Sequence, residues 1–274
     1  MGMISAYRIL TTFSGKVYLN GLMLYFLTYY HFDVVIFINK CLKLFKTDIM
    51  AVTVEMIEED RRIRENGLVI TDIDGLHIDL TRGIAIDMGK EREYEAFVQN
   101  GITYEGIKEQ MKGLKGYNVE KGATKIGEPF YGSKKLIETF RKYGFEVFGL
   151  TDNPLAAVSE NEKVIKKKLG IDHIYTTSNA KVINGHYTGE LSDHHPKEEI
   201  IEYFEKVFHP KILIGVFQGE NDGPAAKKVK EKGGKVFIVN SDSQNLKELA
   251  DFHSENIEKA TEIVEKELPK ILNN

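Results

Sequence analysis

Tryptophan is absent from the 274 residues, and cysteine occurs only once, at Cys41. One cysteine excludes an internal disulfide framework and a thiolate zinc cluster, and it fits a reducing, cytoplasmic setting. Excess positive charge is missing as well: 37 Lys and Arg stand against 41 Asp and Glu, for a net charge of -4. Nothing in that balance resembles the basic footprint of a nucleic-acid binder. A membrane-spanning helix needs about 20 uninterrupted apolar residues. The most apolar stretch, Leu22 to Ile38, is broken by His31 and Asp33 and followed by Asn39. There is no internal repeat and no low-complexity tract. What remains is a 42% hydrophobic chain, long enough to bury a sizeable core.

Residues 1–50 differ from the rest in their density of aromatic and aliphatic side chains. They are expected to form an N-terminal extension, with residues 20–45 offering a surface to a protein partner or a membrane periphery. Met50 opens the more conventional MAVTVEMIEEDRRIREN, so a start at that residue is a second reading. From Thr53 to Asn66 the pattern is that of a charged amphipathic helix. Gly67 then leads into the apolar run Leu68 to Thr71. Comparable runs recur at Phe145 to Leu150, His173 to Thr177, Ile212 to Phe217 and Val236 to Val239. Helical stretches separate most of them: Ser133 to Tyr143, Pro154 to Leu169, Pro196 to Val207 and Pro224 to Lys232. Strands alternating with helices predict an α/β fold, a doubly wound parallel sheet covered on both faces. The expected core is 51–80 with 126–274. The intervening 81–125 is too long for a plain crossover and is expected to form an inserted helical cap. Ser178 to Leu191, with its Asn184-Gly185 turn, predicts a hairpin or flap, and Asn256 to Leu272 an amphipathic closing helix.

The first run ends in Thr71-Asp72-Ile73-Asp74-Gly75, which sets two carboxylates at the edge where parallel sheets hold ligands. One carboxylate can attack phosphorus while a second protonates the leaving oxygen, and both suit a hard cation such as magnesium. The competing reading is an Asp-Gly hairpin joining LVITDI to LHIDL. An EF-hand is excluded, because Leu76 stands where a third oxygen ligand is required. Thr151 closes the second run and heads a helix, Lys197 begins another after Pro196, and Phe217 to Asp222 form a polar loop after the fourth run. Each alone is commonplace; all four at one sheet edge form a constellation suited to an anion and its counter-ion.

In these motifs and their order the chain resembles the haloacid dehalogenase superfamily of phosphohydrolases, in the branch that resembles phosphoserine phosphatase and carries a cap after the first strand. The resemblance spans about Leu68 to Val239 and includes Asn184-Gly185-His186-Tyr187-Thr188-Gly189 before the lysine. It implies a magnesium-dependent phosphatase that acts on a small phosphorylated metabolite through an aspartyl-phosphate intermediate. Asp72 would be the nucleophile and Asp74 the general acid and base. Thr151 and Lys197 would hold phosphoryl oxygens, with Asp152 and Asn153 also at the substrate. Asp72, Asp74, Gln218 and Asp222 would hold the metal, supported by Asn221. A response-regulator receiver is a poorer match, since its phosphorylated aspartate lies at the end of a later strand. The departures cluster at the centre. Gln218 replaces a metal-binding aspartate, Phe217 a glycine and Leu76 a hydroxyl residue, and Thr81 stands where phosphoserine phosphatases read the substrate amine with a glutamate. Glu220 is a candidate substitute carboxylate, and Arg82, Arg92, Tyr94 and Tyr104 are cap candidates for reading the substrate. The alternative is a catalytically weakened relative that serves as a ligand- or partner-binding module.

Overall fold

The computed structural model describes residues 59–99 and 102–273. The extension expected at 1–50 and the partner surface expected at 20–45 lie outside the described residues. A helical segment at 59–65 leads through Gly67 into β1 (Leu68–Thr71). Next come α1 (Arg82–Asp87), α2 (Glu91–Gln99), α3 (Tyr104–Gly113), α4 (Val119–Ala123) and α5 (Ser133–Lys142). β2 (Glu146–Thr151), α6 (Ser159–Leu169) and β3 (His173–Thr176) follow, then the hairpin of β4 (Ala180–Ile183) and β5 (His186–Leu191). The chain continues through α7 (Lys197–Phe208), β6 (Leu213–Phe217), a 3-10 turn (Glu220–Asp222), α8 (Gly223–Glu231) and β7 (Lys235–Val239). It closes with α9 (Gln244–Leu249), β8 (Phe252–Ser254) and α10 (Ile257–Leu272).

Six strands form one sheet in the order β3-β2-β1-β6-β7-β8, and every neighbouring pair is parallel. The doubly wound expectation is met. Alternate residues of each strand feed the two faces. Val69, Val147 and Ile214 pack beneath α5 and α10 with Phe140, Val264 and Leu268. Leu68, Ile70, Phe148 and Ile238 pack against Ile201 and Phe204 of α7 and Val229 of α8. Burial on both faces explains why these strands read as continuous apolar runs rather than alternating ones. β1 is central, and the chain moves to one side of it for β2 and to the other for β6. The strand order therefore reverses at the carboxyl end of β1, where a doubly wound sheet opens a ligand crevice.

The competing hairpin does not form. Residues 76–80 make no strand ladder with β1, and Gly75 turns the chain at φ 87°, a conformation that costs glycine nothing. Leu76, Ile78 and Leu80 are buried in the same core as Val69. Between Leu80 and Ile126 the described residues form four helices. α2 and α3 are the longer pair of this expected cap, and α1 and α4 are each too short to leave a clear period in the sequence. Ile84, Ile107, Met111 and Val119 build a separate small core that also takes in Leu155, Val158 and Tyr187. The hairpin at 180–191 packs there too: the Gly116 amide donates to the Tyr187 carbonyl, and the Tyr187 amide donates to Tyr117. α6 starts at Ser159 rather than Pro154, because the Asn153 side chain accepts from the Leu155 amide and holds the intervening residues in turns. Among the described residues no helix is long and apolar enough to cross a membrane.

Phe217, which stands where the resemblance has a glycine, turns into the core. It is fully buried among Ile201, Phe204 and Val229. Gly215, two residues earlier on the same face, makes the room: a Cβ there would sit 2.4 Å from the Phe217 ring and 3.1 Å from Val229. Gly215→Ala should therefore cost about 1–3 kcal/mol through overpacking. This would be read as a lower urea midpoint with an unchanged slope.

Candidate active site

Asp72 follows β1, Thr151 ends β2, Lys197 opens α7, and Gln218 to Asp222 follow β6, so the fold delivers all of them to one crevice. The Lys197 ammonium is buried, 3.0 Å from Asp72 Oδ1, 2.6 Å from Asp222 Oδ1 and 3.4 Å from Asp152 Oδ2. Burial alone would lower its pKa. The attraction of Asp222, Asp72 and Asp152 outweighs that and raises it well above the ordinary value, so the lysine stays charged. Burial, followed by repulsion from Asp222, pushes Asp72 upward despite the lysine.

The Asp74 carboxylate turns the other way. Its Oδ1 accepts from the Leu80 amide at 2.8 Å and its Oδ2 from Asn153 Nδ2 at 2.7 Å. Burial pushes its pKa up to about 6, although the Asn153 and Leu80 hydrogen bonds favour the charged form. Asn153, expected at the substrate, is spent inside the protein. Its Nδ2 donates to Asp74 and to Thr81 Oγ1, and its Oδ1 accepts from the Leu155 amide. It holds the Asp74 carboxylate in place. The Thr151 hydroxyl accepts from the Asn153 amide at 3.2 Å, which leaves its proton to donate into the cavity. Asp152 is held by Asn221 Nδ2 at 2.8 Å as well as by Lys197.

Asp222, expected as a metal ligand, is committed elsewhere. Its Oδ1 holds Lys197 and its Oδ2 accepts from the Gln218 and Gly219 amides at 3.2 and 3.0 Å, with no part of the residue exposed. Glu220 is exposed and does not line the cavity, so it supplies no substitute carboxylate. Gln218 does line it. Its Nε2 donates to the Asn240 carbonyl at 3.2 Å, and its Oε1 lies 3.8 Å from where a Gly75 Cβ would stand. Among the described residues no three His, Cys, Asp or Glu side chains form a ready-made metal cage. The charge balance nevertheless fits a dication. Asp72, Asp152 and Asp222 lie around one ammonium, Asp74 lines the same cavity, and such a set of oxygen donors suits a hard cation.

These groups open into a cavity of about 820 Å3, its mouth included, roofed by Tyr94 and Phe97 of α2 and Ile107 and Met111 of α3. Of the four cap candidates only Tyr94 lines it. Arg82 pairs with Glu91 and Glu95 on the outside, and Arg92 is exposed away from it. Tyr104 stacks on His194 at 4.2 Å beside the mouth. One supporting residue escaped the sequence reading. His77 is buried, with its Nε2 2.8 Å from Thr71 Oγ1. The Thr71 hydroxyl donates to the Asp72 carbonyl, so His77 Nε2 carries the proton and Nδ1 is left without a partner. No spacing rule marks such a histidine.

The parallel sheet with its helical insert after β1 gives a fold similar to that of solved phosphoserine phosphatases. A phosphoserine phosphatase in its apo form matches with a TM-score of 0.58 at 22% identity, covering 71% of this chain and 97% of its own. A phospho-aspartyl intermediate analogue of phosphoserine phosphatase gives 0.60 at 22% identity, over 73% and 99%. The phosphoserine phosphatase from T. onnurineus, in complex with NDSB-201, gives 0.57 at 16% identity, over 74% and 96%. At these identities the likeness establishes the fold. No protein-family model matches the sequence, and no curated protein matches it.

Burial lowers the His77 pKa to about 3, against about 6.5 in the unfolded chain. Between those values the unfolded state binds the extra proton, so this contribution is complete above about pH 6.5 and is lost as pH falls toward 3. His77→Gln should narrow the difference in unfolding free energy between pH 7.5 and pH 4.5 by about 2 kcal/mol, measured by urea titration.

Proposed function

We propose that the protein is a magnesium-dependent phosphomonoester hydrolase that acts on a small phosphorylated metabolite through a phosphorylated Asp72. The observation that supports this most is the meeting of Asp72, Asp74, Thr151 and Lys197 in one cavity at the strand-order reversal. Asp72 Oδ1 is tied to Lys197, so Oδ2 is the oxygen that attacks phosphorus. As the ester P–O bond breaks, Asp74 gives its proton to the leaving oxygen, and its pKa near 6 suits an acid that must also serve as a base. Thr151 and Lys197 bind the equatorial oxygens of the transferred group, where charge is spread in the transition state. In the second half Asp74 takes a proton from water. That water attacks the acyl phosphate, the Asp72–phosphorus bond breaks, and inorganic phosphate leaves.

Magnesium would be held by Asp72, the Gln218 amide oxygen and the Asp74 backbone carbonyl, and it would offset the charge of the phosphate dianion. Asp222 acts through Lys197. A cytosolic setting accords with the single cysteine, and no nucleic-acid role accords with the acidic charge balance. The alternative of a weakened, ligand-binding relative rests on Gln218, which removes one negative charge from the donor set.

Asp72→Asn should abolish magnesium-dependent hydrolysis of an aryl phosphate while leaving the circular dichroism spectrum and melting temperature near those of the parent; undiminished turnover would refute Asp72 as the nucleophile. Gln218→Asp should lower the magnesium dissociation constant by about 10-fold in calorimetry, the scale of one added charge in a partly buried site. An unaltered constant would take Gln218 out of the metal shell.

A further inference from the structure

We propose that the alcohol portion of the substrate is uncharged and apolar, an aromatic or branched aliphatic group rather than an amino acid or hydroxy acid; this rests on the phosphatase reading above. The roof and walls of the cavity beyond the phosphoryl end come from Phe97, Val98, Ile102, Ile107, Met111 and Leu114. Every charged side chain among the described lining residues, namely Asp72, Asp74, Asp152 and Lys197, lies at the phosphoryl end. Polar groups in the roof are few and mostly engaged. The Tyr94 hydroxyl donates to Asp79 at 3.3 Å, and Thr81 Oγ1 accepts from Asn153. Gln110 is the remaining polar cap residue at the cavity. Lys90, Glu93 and Glu109 line a neighbouring cavity rather than this one, and Lys90 donates to the Gly113 carbonyl.

Among the described residues, a substrate amine would find no cap carboxylate in this wall, and a substrate carboxylate would find no cap cation. Either would be desolvated without a partner, a penalty that exceeds what extra apolar contact returns. An apolar group gains instead. Val98 and Ile102 remain 46% and 39% exposed, and a ring or branched chain resting on them would remove that surface from water.

The test uses the full chain with magnesium and three alkyl esters of similar leaving-group chemistry: 2-phenylethyl phosphate, 3-methylbutyl phosphate and O-phosphoserine. The kcat/KM for the two apolar esters should exceed that for phosphoserine by about 100-fold, and equal or reversed values overturn the proposal. Val98→Lys, which sets a cation on the rim, should shrink the ratio by about 10-fold, largely through KM. Binding separates the two layers of the argument, because 3-phenylpropylphosphonate and 2-amino-4-phosphonobutanoate need no turnover. If no ester is hydrolysed, the phosphatase reading fails. Tighter calorimetric binding of the phenyl compound then still upholds the apolar wall, whereas equal affinities, or no binding of the phenyl compound, overturn it.

Discussion

A single buried ammonium, Lys197, sits among carboxylates delivered by the ends of β1, β2 and the segment after β6. Removing that many charges from water is expensive, and only close pairing offsets the cost. The pairing is reinforced from behind: Asp222 spends its second oxygen on two backbone amides, which fixes the loop after β6 to the lysine. Three chain segments far apart in sequence are thereby held to one point. The same arrangement gathers more carboxylates than cations at the centre, so in the proposed phosphatase phosphate entry and metal binding would be coupled by electrostatics.

Beyond that point the cavity has two layers with different chemistry. The sheet edge carries every charge and fixes its groups by short hydrogen bonds among Asp74, Asn153 and Thr81. The cap carries apolar side chains with a small core of their own. In the proposed phosphatase, recognition of the phosphoryl group would belong to the parallel sheet, where displacing one carboxylate disturbs several hydrogen bonds. Recognition of the rest of the ligand would belong to helices whose cavity-facing residues are exchangeable without touching the reacting atoms.

Much of this was legible in the sequence because the physics is local or periodic. Apolar runs such as Leu68 to Thr71 and Ile212 to Phe217 announce strands buried on both faces, and the residues just beyond them, Asp72, Thr151 and Gln218, fall at the ligand-binding edge by topology. What was hidden depends on side-chain direction. Phe217 reads as bulk beside the metal until Gly215 is seen to open a space for its ring on the far side. Asn153 and Asp222 carry substrate- and metal-like chemistry, but their hydrogen-bond capacity is consumed by partners that no spacing reveals. β8 is three residues long at the edge of the sheet, too short to mark itself by composition.

Gln218 illustrates the difference between a lesion and an accommodation. Its amide nitrogen donates to the Asn240 carbonyl, and that bond fixes the amide with its oxygen toward Gly75. A carboxylate with the same reach would set an oxygen against that carbonyl, and aspartate, one methylene shorter, would give up the contact. The amide therefore keeps an oxygen in place without adding a charge to a centre where three carboxylates already face a single lysine. In the proposed phosphatase a weaker hold on a dication would be the cost, and less repulsion of an incoming phosphate dianion the compensating gain. Gln218 has a fixed place in the hydrogen bonding of the site, which is why glutamine at this position does not by itself argue against the proposed chemistry.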